Sequence, residues 1–452
     1  MTYRHPMTAP GLPSLGELAR AFLRVGLLGF GGPAAQIALM HRIVVDEKRW
    51  LGEARYLHAL NYCMLLPGPE AQQLATYTGW LAHGVKGGLI TGLLFILPGA
   101  LIMLGLSALY AFHADLAWVQ GLFYGIKCAV IALVVEALLR IARRALKTNG
   151  MRAVALAAFL ALALFALPFP LVILAAAIIG TLIARYTPPA IAPLAIEDAA
   201  IDRAIAAGGL PHIQARSGRF WGQTVLWTAL WLAPVALLLL AFGPGNVFTD
   251  LATFFARMAL VTFGGAYAVL AYVAQAAVES HGWLTASQMI DGLGLAETTP
   301  GPLILVLQFV GFLAAFGAAT GLDPLLAGTL GAILTLWVTF VPSFLFIFAG
   351  APYAESLRNN RTLAAGLAAI SAAVVGVIAH LALWFGLHVL FGVITDWQAG
   401  PLQVAVPDIA TLDPVALALT IAALVLTLRF HLPVGWLILI FAIAGVALKL
   451  FA

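Results

Sequence analysis

Apolar residues run through this chain in stretches of helical length, interrupted by short polar or Gly- and Pro-rich segments. The longest stretches reach about 20 residues or more, and the strict alternation of a barrel strand is absent. The first half contains four short pieces between Leu12 and Lys86, longer spans at about 88–110 and 117–140, and a shorter pair at 153–166 and 168–186. The short pieces are below the roughly 20 residues of a full span, so the pattern predicts two re-entrant helical hairpins.

The same pattern occurs twice. Residues 22–74 reappear at 255–307 with a constant spacing of 233 and no gap. Phe30-Gly31-Gly32 matches Phe263-Gly264-Gly265, and Pro67-Gly68-Pro69 matches Pro300-Gly301-Pro302. The later turn Phe165-Ala166-Leu167-Pro168 is echoed at Phe430-His431-Leu432-Pro433. Two copies of a helical unit broken at the same places are typical of duplicated secondary transporters.

Loop charge predicts that the second copy is inverted. The loop around Trp50 carries Arg42, Lys48, Arg49 and Arg55, whereas its counterpart 275–288 has no Lys or Arg. The segment 140–152 is basic and 393–412 is not, while 111–117 lacks the Arg residues found near 355–361. Lys and Arg collect in cytoplasmic loops. We therefore expect the N-terminus, the Trp50 loop and the central linker to lie in the cytoplasm.

Three units follow from this arrangement. They are an N-terminal repeat (1–186), a cytoplasmic linker with one unpaired transmembrane helix (187–244), and an inverted C-terminal repeat (245–452). The linker is polar and Pro-rich at Tyr186–Arg219, with one short amphipathic helix predicted near 196–207, and Trp221–Phe242 is the unpaired apolar helix. The predicted fold is an all-α polytopic membrane protein, an inverted-topology repeat of two homologous helical halves with broken, re-entrant hairpins.

Composition agrees with a membrane protein. The 452 residues are 63% hydrophobic and only 9% charged, and the mean hydropathy is +1.02, values that exclude a water-soluble globule. The net charge of +4 comes from Lys and Arg scattered at the ends of apolar segments, which predicts no nucleic-acid partner. Cys63 and Cys128 lie in apolar surroundings without metal-ligand spacing, so we expect neither a metal site nor a cofactor.

The helix breaks are the candidate site. Broken backbone at membrane depth survives only where protein or a water-filled cavity covers it. After each Gly-Gly and Pro-Gly-Pro segment a new helix begins, with free N–H groups and the positive end of its dipole. Four such starts converging near the midplane would bind an anion. The alternative is that Gly and Pro only kink and pack the helices.

Two matched arginines and several carboxylates add charge to this picture. Arg24 and Arg257 lie six residues before the two Phe-Gly-Gly breaks; each could donate to an oxyanion or snorkel to the headgroups. Glu70 begins the helix after Pro69 and is either a cap or a titrating group that couples transport to protons. Glu297, three residues before Pro300, is a second proton-coupling candidate.

The substrate-binding residues predicted in this way are drawn from the breaks and from the helix starts that follow them. They are Arg24, Gly31, Gly32, Pro33, Gln36, Pro67, Gly68, Pro69, Gln72, Gln73, Arg257, Gly264, Gly265, Pro300, Gly301 and Pro302.

These motifs resemble the chromate ion transporter family, specifically its long, two-domain members. The resemblance rests on Phe30-Gly31-Gly32-Pro33-Ala34-Ala35-Gln36-Ile37, Leu66-Pro67-Gly68-Pro69-Glu70-Ala71-Gln72-Gln73-Leu74, and Thr299-Pro300-Gly301-Pro302. It implies export of chromate, a tetrahedral oxyanion related to sulfate, from the cytoplasm across the bacterial inner membrane, which gives chromate resistance. The residues alone lead only to an anion transporter, proton-coupled if Glu70 titrates.

Several alternatives stay open at this point. The same site would serve a sulfate or other oxyanion transporter working inward or by exchange, or a passive channel. An intramembrane enzyme would need a nucleophile with a base, or a metal cluster, at the breaks. The breaks carry Gly, Pro, Gln and one unpaired Glu, so we expect no enzyme. The expected partners are the oxyanion and the lipid bilayer, and a homodimer is left open.

Overall fold

Helices dominate the computed structural model, which describes residues 11–30, 32–183, 199–262, 266–354 and 361–451. Five of the described helices are long and apolar enough to cross a membrane: Glu70–His113, Ala117–Ala145, Ser217–Phe242, Pro324–Tyr353 and Ala365–Leu390. Six shorter apolar helices accompany them. The prediction of an all-α, polytopic membrane protein is confirmed.

The described residues of the first half form seven helices. They are α1 (Leu15–Leu28), α2 (Gly32–His41, continued by a π-helical turn at Arg42–Glu47), α3 (Glu53–Leu65), α4 (Glu70–His113), α5 (Ala117–Ala145), α6 (Asn149–Phe165) and α7 (Phe169–Ile183). α4 is 44 residues long and is kinked at His83 and Gly84, where the backbone leaves helical geometry. This kink is where the sequence predicts the end of the second short hairpin.

The linker and the second half follow. The described linker holds α8 (Ala200–Ala206) and the unpaired helix α9 (Ser217–Phe242). The second half has α10 (Val247–Val261), α11 (Ala266–Gln275, with a π-helical turn at Ala276–Ser280), α12 (Ala286–Thr298), α13 (Val306–Gly317), α14 (Pro324–Gly350), α15 (Arg361–Leu390), α16 (Pro414–Leu428) and α17 (Val434–Phe451). α8 falls inside the predicted 196–207 segment, whose first three residues lie outside the described residues.

A small β-hairpin is the element that the sequence analysis did not predict. Strand β1 (Ile394–Ala399) pairs antiparallel with β2 (Leu402–Pro407), and both lie between α15 and α16. The hairpin occupies most of the non-basic segment 393–412 and is largely exposed. It therefore extends a loop and adds nothing to the helical core.

Local sequence signals start the hairpin helices. α1 begins with a capping box in which the Ser14 side chain and Glu17 satisfy each other's backbone N–H groups, and α12 begins with the same device at Thr285 and Gln288. α3 and α12 then end just before the two Pro-Gly-Pro segments, because proline disfavours a helical conformation in the residue before it.

Backbone geometry agrees at positions 233 residues apart, which are called matched positions below. Both π-helical turns close on the same pattern, since Trp50 N donates to Val44 O and Trp283 N donates to Ala277 O, each at 2.8 Å. The residue before each Trp differs in type but not in conformation, since Arg49 has φ +51° and Gly282 has φ +60°. The backbone conformation is thus the same at these matched positions, and the inverted repeat stays a prediction.

The halves interlock through their long helices. α5 packs against α16 and α17 of the second half, and α15 packs against α6 and α7 of the first. Glycines allow these contacts: a Cβ on Gly125 would lie 1.8 Å from Phe441 O, and one on Gly376 would lie 2.2 Å from Ala155 O. Small residues let helix backbones approach closely where lipid offers no hydrophobic driving force. Neither half could keep this packing without the other.

Candidate functional site

Each Pro-Gly-Pro segment is hydrogen-bonded to the end of the helix that precedes the Phe-Gly-Gly break of the other half. Gly301 N donates to Gly29 O at 3.1 Å, and Gly68 N donates to Thr262 O at 2.8 Å. Gly68 matches Gly301 and Gly29 matches Thr262, so the two hydrogen bonds occupy equivalent places. Each Pro-Gly-Pro segment is therefore fastened to the end of the broken helix of the other half.

Glycine is required at the centre of both Pro-Gly-Pro segments. Gly68 has φ +114° and Gly301 has φ +98°, a region that residues with a Cβ rarely adopt. Space is also short, because a Cβ on Gly68 would lie 2.9 Å from Gln73 Nε2 and 3.0 Å from Ser343 Oγ. On the other side, Gly99 of α4 contacts the second segment so closely that a Cβ there would lie 2.2 Å from Pro300 O.

Gln36 joins one pair of breaks through its side chain. It is fully buried, and its Nε2 donates to Gly29 O at 3.0 Å and to Gly301 O at 2.5 Å. Since both acceptors are carbonyls, the orientation of the amide is fixed with Nε2 toward them. The matched residue is Val269, whose apolar side chain cannot make the same link at the other pair of segments.

The start of α4 is lined by polar groups that lack partners. Gln73 Nε2 donates to Pro67 O at 2.7 Å and Gln72 Nε2 to Thr76 Oγ1 at 3.0 Å. The Oε1 atoms of both glutamines and Ser343 Oγ are buried without a hydrogen-bond partner among the described residues. Buried polar atoms are nearly always paired. These atoms are therefore available to water or to a polar ligand at the break.

The predicted proton-coupling residues have different surroundings. Glu70 is the first residue of α4, directly after Pro69, and its carboxylate accepts a hydrogen bond from its own backbone N–H. Glu297 on α12 is buried and its Oε1 accepts a hydrogen bond of 2.6 Å from Tyr267 Oη. The matched residues are Leu303 and Met64. Each half thus places one carboxylate near a break, but at different positions.

The two matched arginines do not point into the breaks. Arg24 Nη1 lies 3.1 Å from Glu47 Oε2, and the side chain of Arg24 is 48% exposed. Ser280 replaces Glu47 in the second half, and Arg257 lines a cavity of about 290 Å³ with Asp250 and His281. Arg257 makes no ion pair among the described residues. Arg24 is thus paired with a carboxylate, Arg257 is open to a ligand, and the binding of an oxyanion by either arginine stays a prediction.

The remaining predicted residues are placed as follows. Gly32 has φ +76° at the start of α2, with Pro33 in the first turn, and Pro302 precedes a short 3₁₀ turn that leads into α13. Gly31, Gly264 and Gly265 lie outside the described residues. The predicted anion-binding role of this set stays a prediction.

The sequence analysis missed a buried ion pair. Lys127 Nζ of α5 lies 3.2 Å from Asp291 Oδ1 of α12, and Tyr110 Oη of α4 donates to Asp291 Oδ2 at 2.8 Å. The signal was present, since Lys127 is the single lysine within the apolar run 117–140, and an ionisable residue inside a membrane span indicates a functional role by default.

The linker also proves to be docked. Asp202 of α8 is buried, accepts a hydrogen bond of 2.7 Å from Gly52 N, and pairs with Arg55. Ile201 N donates to Trp50 O at 2.9 Å. α8 therefore covers the loop between the two first-half hairpins, the same loop whose basic residues predict a cytoplasmic position.

Comparison with known proteins decides the family. The family model described as chromate transporter matches two stretches, residues 16–181 and 249–446. The chain belongs to the chromate transporter family. It is similar to a chromate transport protein of Pseudomonas aeruginosa, at 32% identity over 82% of this chain and 80% of that protein.

Two further relatives align with this chain over similar lengths. One is a chromate transport protein of Cupriavidus metallidurans, with 30% identity over 82% of both chains. The other is an uncharacterized transporter of Methanocaldococcus jannaschii, with 26% identity over 87% of this chain and 89% of that protein. No solved structure matches the chain. The predicted resemblance is confirmed, and the protein is a multi-pass membrane protein of this family.

Proposed function

We propose that this protein exports chromate from the cytoplasm across the bacterial inner membrane, that proton entry drives the export, and that the cell thereby resists chromate. Family membership and the names of the relatives support chromate as the substrate. The observation that carries the transport site is the pair of equivalent hydrogen bonds, Gly301 N to Gly29 O and Gly68 N to Thr262 O. These contacts bring broken helices from both halves together.

Chromate suits such a site because it is a compact dianion. Under this proposal, the helix starts after the breaks supply free N–H groups and positive dipole ends to the dianion. Ser343 Oγ is a hydroxyl that can donate there, and it has no partner among the described residues. Sulfate has the same shape and charge, so the site chemistry favours tetrahedral dianions as a class, and the choice of chromate rests on the family.

The proposed orientation follows from charge. Arg42, Lys48, Arg49 and Arg55 surround the loop that α8 covers, and the α4–α5 turn at 111–117 has no Lys or Arg. The positive-inside rule then assigns the Trp50 loop and the linker to the cytoplasm and the α4–α5 turn to the outside. With the unpaired helix α9 between the halves, the second half has the opposite orientation to the first.

The test is uptake of radiolabelled chromate into everted membrane vesicles, in which uptake corresponds to export from the cell. Vesicles with and without the protein are compared, each with and without a proton gradient that is acidic inside. Protein-dependent uptake that requires the gradient and resists an equal concentration of sulfate is the expected result. Loss of uptake with equal sulfate indicates a general oxyanion carrier, gradient-independent dissipation indicates a channel, and no uptake overturns the proposal.

A further inference from the structure

A cavity of about 680 Å³ opens beside the α4–α5 turn, away from the paired breaks. Its walls come from α4, α5, α12 and the ends of α16 and α17. Asp115 of the turn and Lys449 near the end of α17 line it, and Asp291 and Lys127 lie on the same lining. A volume of this size holds many water molecules, each of which occupies about 30 Å³ in the liquid. The cavity thus brings water to the buried ion pair.

The buried oxygen of the ion pair faces Lys127. Tyr110 Oη donates to Asp291 Oδ2, and Lys127 Nζ donates to Ser287 Oγ. Asp291 Oδ1 is buried and lies 3.2 Å from Lys127 Nζ. The side chains of Lys127 and Asp291 are 19% and 5% exposed. A proton from the cavity therefore reaches Asp291 Oδ1 through Lys127, the more exposed member of the pair.

The charge of the cavity favours protons over the dianionic substrate. The lining residues that carry a formal charge at neutral pH are three aspartates and two lysines, which gives an excess of one negative charge: Asp115, Asp291 and Asp413 against Lys127 and Lys449. Asp413 is already fixed, since its Oδ1 accepts from Val415 N and its Oδ2 from Tyr124 Oη. A net negative cavity repels chromate and attracts cations.

The groups that face Asp291 from its neighbours are few. α4 contributes Tyr110, α5 contributes Lys127, and the cavity contributes the two other aspartates, Lys449 and Tyr124. α13 contributes the uncharged Phe309, whose ring lies 5.2 Å from that of Tyr110. α15 also packs on α12, and its described titratable residues are His380 and His388. Lys127 is thus the cation that balances Asp291.

α12 connects this pair to the breaks. It starts beside the cavity and ends at Thr298, one residue before Thr299-Pro300-Gly301, and Gly301 bonds to Gly29 O and to Gln36. α12 packs closely against α5 at Ile126, the residue before Lys127, since a Cβ on Gly294 would lie 2.4 Å from Ile126 Cγ2. The attraction between Lys127 and Asp291 therefore holds α12 against α5. Neutralising the carboxylate would remove that attraction and weaken the contact of α12, which leads to the break, with α5.

We propose that Asp291, paired with Lys127 on the wall of this cavity, is the proton acceptor through which proton entry is coupled to movement of the breaks. In the step, Lys127 Nζ transfers a proton to Asp291 Oδ1 and takes one from a hydronium ion in the cavity. An N–H bond breaks and is restored at Lys127, an O–H bond forms at Asp291, a water molecule is left, and Lys127 keeps its charge. The inference rests on the proposed proton-driven chromate transport, and the proposed outward position of the α4–α5 turn gives the cavity access to external protons.

The test uses the purified full-length protein in proteoliposomes with a pH-sensitive dye inside. Two activities are recorded, chromate-driven proton flux and exchange of labelled for unlabelled chromate, which needs no net proton movement. Asp291→Asn should reduce the proton flux at least tenfold while exchange continues. Asp115→Asn, which removes the same charge from the same cavity, should leave the ratio of the two activities at its wild-type value.

The outcomes separate the two levels of the proposal. Exchange without proton flux in the wild-type protein would overturn the proton coupling itself. Coupled flux in the wild type that persists with an unchanged pH profile in Asp291→Asn would overturn only the role of Asp291. Should that variant fail to fold, Asp291→Glu decides, because a proton acceptor moved by one methylene should shift the pH profile. The double variant Asp291→Asn with Lys127→Met, which removes both charges, should fold and stay uncoupled; restored coupling would make the pair merely structural.

Discussion

The link made by Gln36 can be removed with little change in shape by Gln36→Met. The substitution deletes two hydrogen bonds, to Gly29 O and Gly301 O, each worth about 0.5–1.5 kcal/mol. Gly29 O keeps its bond from Gly301 N, so only Gly301 O loses its described partner. That cost is offset because the unpartnered Gln36 Oε1 also disappears. The cost of leaving Gly301 O unpaired and the gain from removing the unpaired Gln36 Oε1 nearly cancel. The two lost hydrogen bonds then lower the stability of the contact by about 1–3 kcal/mol.

A loss of this size should change the balance of states at the breaks by roughly 5- to 150-fold. We expect purified Gln36→Met to unfold at a lower temperature than the wild type and to be less stabilised by added chromate, and we expect its uptake at low chromate to fall. Ser107→Ala is the matched control. It removes a buried side-chain hydrogen bond, to Met103 O at 2.7 Å within α4, but it touches no break.

Wild-type unfolding together with wild-type dependence of uptake on chromate concentration in Gln36→Met would refute this reasoning. An equal loss of uptake in Ser107→Ala would also refute it, because the effect would then follow general destabilisation. A selective loss in Gln36→Met would show that the contact between the two halves controls the transport site.

Three other predictions use different parts of the molecule. Arg257→Ala should weaken chromate transport more than Arg24→Ala, because Arg24 is paired with Glu47; equal effects in vesicle uptake would contradict this. Glu70→Gln should alter the pH dependence of transport, and an unchanged profile would assign Glu70 to capping α4. Burial lowers the pKa of His212, which packs on Trp80. The undocked linker then binds a proton more readily, so docking is complete above the usual pKa of 6.5 and weakens as the pH falls below it. After correction for the slower intrinsic exchange at low pH, the protection of amides at 207–216 from hydrogen exchange should fall at pH 5.5, and His212→Gln should abolish that fall.

Much of the fold could be predicted from the sequence because Gly- and Pro-rich segments mark the ends of its short helices. The paired Gly-Gly and Pro-Gly-Pro segments predict the broken hairpins, and their recurrence at a spacing of 233 predicts the shared order of elements. The turn at Ala166 shows that a sequence echo can also predict a shared backbone conformation. It has φ +45° and its counterpart His431 has φ +52°, so two unlike residues adopt the left-handed conformation that ends a helix before a proline.

The side-chain partners could not be read in the same way. Arg24 was matched to Arg257 by sequence, but the choice between an oxyanion and a carboxylate partner depends on Glu47, which only folding brings within 3.1 Å. Asp291 and Lys127 are separated by more than 160 positions and lie in different units. Periodicity and spacing describe one element at a time. Contacts between elements of different halves follow from the interlocked packing, which no local pattern encodes.

The differences between the halves bear on the balance between the two access states. Two halves of opposite orientation, as proposed, would exchange roles if their side chains were identical, and the inward- and outward-facing states would then have equal free energies. Here Gln36 is matched to Val269, and Asp291 is matched to His58. Under the proposed inversion, the link at the break and the ion pair would each stabilise one state more than its mirror image. The unequal side chains would then give the two states different free energies, and a ligand or proton shifts that equilibrium only because it binds the two states differently.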